Sequence, residues 1–100
     1  MELPGISDAV RSLAIQPGWL DADQGQLLLA CGLESGHIHI LAMNLHAKAS
    51  RLVWQFASYT MHAAAVRRLC WCVMHGREQE HLLASCGDDH AVRVFRVSVL

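Results

Sequence analysis

Residues 82–95, LLASCGDDHAVRVF, bring Ser85, Cys86, Asp88, Asp89 and His90 together, with His62 upstream of them. Three chemistries use such side chains. A hydrolase would take Ser85 as nucleophile, His62 as base and Asp89 as the group that orients the base. A zinc site would draw on Cys86 and His90, spaced C-x3-H, and on Cys70 and Cys72, spaced C-x-C. A turn between two strands would use the aspartates to accept backbone N–H bonds.

The surrounding residues separate these readings. Nothing marks a nucleophile elbow or an oxyanion hole, and Ser85 falls inside an apolar run. Structural zinc takes two close pairs of ligands, and C-x-C is too short for one. Cys86 reads as a small apolar filler in a strand. The expectation is therefore no catalytic residue, no metal and no cofactor.

The elements that position these residues occur twice. AVRSLAI (9–15) matches AVRRLCW (65–71), LLLACG (27–32) matches LLASCG (82–87), and GHIHI (36–40) matches HAVRV (90–94). The offsets run through 56, 55 and 54 residues. A repeat of that length points to a solenoid or a propeller. Each copy reads as strands: 10–15, 26–32 and a run through Ile38 and Ile40, then 66–71, 81–87 and a run through Val92 and Val94. In the third strand His37 and His39 alternate with the isoleucines and read as its exposed face. ESG at 34–36 and GDD at 87–89 supply the turns. A further strand is expected at 51–58, between the repeats, and a loop at 42–50. Long loops remain at 16–25 and 74–80. They carry the candidate partner contacts Trp19, Asp21, Asp23, Arg77 and Glu78.

Composition narrows the class. Of 100 residues, 53% are hydrophobic and 17% charged, the net charge is −1 and the mean hydropathy is +0.25. So little charge on a small chain implies that some apolar residues belong against a partner. Near-neutrality without interleaved aromatics argues against nucleic acid, so Arg11, Arg67 and Arg68 read as surface residues. The longest apolar run, 27–31, is far too short to cross a bilayer as a helix. No secretory signal is visible, and the four cysteines read as free thiols in a reducing compartment, the cytoplasm or also the nucleus.

The segment from His62 to Phe95 closely resembles the WD-repeat signature. In that family a histidine precedes the innermost strand, a serine lies in the second strand, and an aspartate occupies the following turn. A tryptophan stands in the third strand. His62, Ser85 and Asp89 match the first three places, and Phe95 replaces the tryptophan; the resemblance implies that His62, Ser85 and Asp89 form a structural hydrogen-bond network. The first repeat is degenerate, with Ala30 at the serine place, Glu34 near the aspartate place and Leu41 near the tryptophan.

The resemblance implies an all-β fold of two adjacent β-propeller blades within a larger propeller. Residues 1–61 would form a four-stranded WD-like blade. Residues 62–100 would form a terminal three-stranded repeat missing its last strand. It also implies a non-catalytic scaffold whose partners are protein subunits of a complex, or another peptide or protein, with no nucleic-acid or membrane site. The remainder of a propeller, or an oligomer, would cover the open blade edges.

Overall fold

Period-two alternation forces each strand to present two faces, and paired antiparallel strands align those faces into a sheet. The computed structural model describes residues 8–16, 26–55, 61–72 and 80–98, which form two such sheets and no helix. The first contains β1 (Val10–Gln16), β2 (Gln26–Leu33), β3 (Ile38–Asn44) and β4 (Ala49–Gln55), in that spatial order. The second contains β5 (Val66–Cys72), β6 (Glu80–Gly87) and β7 (Val92–Ser98). All neighbours are antiparallel and neither sheet closes on itself, so the two stand as adjacent propeller-like blades.

The register refines the internal match. Gly32 pairs with Ser12 and Ile38, and Cys86 pairs with Arg68 and Val92. Gly32 therefore corresponds to Cys86, not to Gly87 as the matched glycines imply. One residue decides which face a side chain takes. Cys31, not Ala30, is the counterpart of Ser85: it pairs with Leu13 and His39, as Ser85 pairs with Leu69 and Arg93.

The main core lies between the sheets. Leu28, Ala30, Ile38, Ile40 and Ala42 from the first meet Val66, Leu83 and Val97 from the second, with Ala14, Leu69, Trp71 and Phe95 packed around them. The other face of the first sheet holds a second cluster, Leu29, Cys31, Leu33 and Leu41. β3 is thus covered on both faces, and His39 is buried rather than exposed. Its position on a central strand outweighs the polar reading of its side chain.

The segment 42–50 is a hairpin rather than a loop. β3 continues to Asn44, whose Oδ1 accepts the Ala47 N–H at 3.0 Å, and Lys48 turns the chain with φ +54°. β4 starts accordingly earlier than 51, and positions 56–58 lie outside the described residues.

Candidate functional site

Each inner strand opens with a β-bulge, at Arg11 in β1 and at Arg67 in β5. A bulge re-aims its side chain. Here both arginines turn to the next hairpin's carboxylate: Arg11 Nε lies 3.0 Å from Glu34 Oε2, and Arg67 Nε donates to Asp88 Oδ1 at 2.6 Å. The backbone frame repeats as well. Glu34 N–H donates to the Ala9 carbonyl at 2.9 Å, and Asp88 N–H donates to the Ala65 carbonyl at 2.9 Å. Gly36 (φ +95°) and His90 (φ +63°) close the two turns, donating to the carbonyls of Leu33 and Gly87.

Within that frame the structure brings His62, Ser85 and Asp89 together. His62 Nδ1 lies 2.9 Å from Asp89 Oδ1, and His62 Nε2 lies 2.7 Å from Ser85 Oγ. A carboxylate only accepts, so Nδ1 carries a proton, and in the neutral imidazole Nε2 then accepts from the Ser85 hydroxyl. Asp89 also accepts the Ala63 N–H at 2.9 Å and the Ala91 N–H at 3.2 Å. The Ala63 amide, then the His62 imidazole, hold its pKa down to about 2. Three donors on one carboxylate tie the chain before β5 to the turn after β6.

These distances have the polarity of a hydrolytic triad, so access matters. Ser85 is 3% exposed and sits mid-β6, paired on both sides. The His62 side chain is 0% exposed. Both groups thus lie beneath the surface of the paired sheet. The same three side chains form a closed polar circuit that satisfies itself.

The first blade bridges the same two places from the opposite end. Asp8, in the chain before β1, accepts the Ser35 N–H at 2.9 Å in the turn after β2, and Ser35 Oγ lies 2.9 Å from His37 Nδ1. Hydrogen bonding from Ser35 holds Asp8 below the usual carboxylate range. The carboxylate has moved from the turn to the preceding chain, which matching residue by residue does not reveal. Cys31, in the place of Ser85, needs no partner, and burial pushes its thiol up to about 11.

Further bonds join the blades. Ser12 Oγ donates to the Val66 carbonyl at 2.9 Å, and Trp71 Nε1 donates to the Ala14 carbonyl at 3.1 Å. The Trp71 ring stands edge-on to His81, with centroids 5.9 Å apart. Phe95, at the signature tryptophan's place, has no indole, while Trp71 spends its own on the neighbouring blade. Trp71 carried a signal in sequence, as a lone large aromatic ending a matched strand, but its partner did not.

No group of three or more His, Cys, Asp or Glu side chains is placed to hold a metal among the described residues. The four cysteines are free thiols. Trp19, Asp21, Asp23, Arg77 and Glu78 lie outside the described residues.

With the geometry in place, one similarity bears on it. Over 81 residues the chain is 32% identical to Elongator complex protein 2 of Rattus norvegicus. The match covers 71% of this chain but only 10% of that protein. No family model matches the chain. The two sheets and this similarity together support a WD-repeat-like relation.

Proposed function

We propose that the chain is a non-catalytic scaffold piece, akin to the terminal part of Elongator's WD-repeat subunit. It would dock other Elongator subunits and so support their modification of the wobble uridine of transfer RNA, without a nucleic-acid site of its own. The observation that carries the non-catalytic reading is the burial of Ser85 and His62 inside a self-satisfied network. The similarity to Elongator complex protein 2 supports the choice of assembly. Its place of action would be the cytoplasm, and also the nucleus.

The test is reconstitution. The purified chain is mixed with purified Elongator subunits, one at a time, and run on a sizing column. Co-elution with at least one subunit at micromolar concentration is expected. Elution apart from all of them would remove the Elongator reading and leave an adaptor for another complex.

A further inference from the structure

Inside the junction between the two sheets, His81 Nε2 is buried without a hydrogen-bond partner among the described residues. His81 is 6% exposed and shares its face of β6 with Leu83, which lies in the core between the sheets. Its ring stands edge-on to Trp71, with centroids 5.9 Å apart. Trp71 in turn donates its indole N–H to the Ala14 carbonyl of the first sheet. The partnerless nitrogen therefore touches the side chain that bonds this end of the junction across the blades.

A neutral imidazole tolerates that place, because one ring nitrogen carries no proton and only accepts. An imidazolium carries an N–H on both nitrogens and a full charge. Protonated there, His81 would aim a charged donor into an apolar junction with nothing to receive it. The attraction of an indole ring for a cation offsets only part of that cost. Burial accordingly holds the His81 pKa below the ordinary histidine value.

The charged groups on the meeting faces do not relieve it. No carboxylate stands on those faces among the described side chains. Arg51, on β4 in the register row of Ala42, and Arg93, on β7 opposite Ser85, are cations and cannot neutralise an imidazolium. His62 and Asp89 meet at Ser85, four residues along β6 and about 13 Å away, and are bonded to each other. His39 lies on the opposite face of its sheet, paired with Cys31.

We propose that His81 is a proton-operated catch on the junction: in acid it takes up a proton, and the Trp71 end of the two sheets parts while each sheet stays paired within itself. The opposite end holds longer, because the Ser12 hydroxyl on the Val66 carbonyl and the His62 N–H on the Gly36 carbonyl both cross there. The junction is fully closed above the ordinary histidine value of about 6.5 and loosens as pH falls below it. Opening uncovers apolar side chains on both sheets, Leu28 on one and Leu83 on the other. The proposal does not rest on the Elongator reading.

Nuclear magnetic resonance of the full chain from pH 8 to pH 5 tests it. Solvent exchange of the Trp71 indole N–H, corrected for its intrinsic pH dependence, should accelerate below pH ~6.5 by up to about tenfold per pH unit, the slope for one proton. The Leu83 and Ser85 amides, paired within β6, should keep their protection over that range. The His81 ring carbons should titrate below the ordinary histidine value. His81→Phe keeps an aromatic ring and removes the titration, so its indole should stay protected throughout; His81→Leu replaces it if it does not fold, and the wild-type titration decides independently of both. The proposal is overturned by a His81 that protonates at or above the ordinary value, or by an indole whose protection ignores pH. It is equally overturned by β6 amides that lose protection in step with the indole, or by a variant that opens in acid as the wild type does.

Discussion

The His62 N–H donates to the Gly36 carbonyl at 3.2 Å, so the turn of the first blade is bonded to the chain that leads into the second. Gly36 holds φ +95°, and a Cβ there would run into the His62 carbonyl oxygen. Two costs therefore fall on any larger residue, a left-handed backbone and a steric clash with main chain. Gly36→Ala should destabilise the fold by roughly 2–4 kcal/mol. Urea denaturation measures it, and a loss below the cost of an ordinary surface substitution would refute the contact.

Ser85→Ala removes the hydroxyl that donates to His62 Nε2 and leaves a buried acceptor without a partner. The expected loss is about 1–3 kcal/mol. For a chain this small, that lowers Tm by roughly 4–8 °C per kcal/mol. Thermal melts followed by circular dichroism read it. An unchanged Tm would mean that the Ser85–His62 bond contributes nothing to the latch.

The pH profile should show two separate acid-sensitive windows. Burial lowers the pKa of His39, helped by His37, and burial lowers that of His81. Their unfolded forms bind protons first as pH falls below the usual histidine value of about 6.5. Stability is therefore full above that value and falls below it until the folded pKa values are passed. Asp89, held at about 2 against an ordinary value of 3.8, adds stability above 3.8 that is lost as pH falls toward 2. Asp8 and Asp88, held low by Ser35 and Arg67, share that lower window, so Asp89→Asn should make it shallower and leave the upper one in place. Denaturant midpoints taken from pH 8 to pH 2 check this; a variant with an unaltered lower window would contradict the assignment.

Trp71→Phe keeps the ring against the core and removes the indole N–H that meets the Ala14 carbonyl across the blades. A loss of about 0.5–1.5 kcal/mol is expected for one such bond. Equilibrium unfolding in urea measures it, and a neutral variant would show that the bond does not hold the blades.

The sequence made the seven strands legible because repeated apolar alternation, bounded by glycine and aspartate turns, leaves few other readings. His62, Ser85 and Asp89 could be grouped through the resemblance to the WD-repeat signature. The exact register was not legible: LLLACG and LLASCG align best one residue away from their structural match, and residue identity carries no information about which neighbour a strand pairs with. The hairpin at 42–50 was missed because its turn holds no glycine or proline, and relies on Asn44 and a left-handed Lys48. His39 was misread because a period-two pattern assigns one face to solvent, whereas a strand inside a propeller-like stack is covered on both. The Asp8–Ser35 bridge was invisible because a carboxylate can serve the same turn from either side of it.

The central claim is that His62, Ser85 and Asp89 lock a blade and do not catalyse. Fluorophosphonate treatment of the native chain, read by peptide mass spectrometry, tests it most directly, because the reagent marks serines that are both activated and reachable. The account predicts that Ser85 stays unmodified while the chain is folded. Stoichiometric phosphonylation of Ser85 in the native state would contradict it and make the triad an active site.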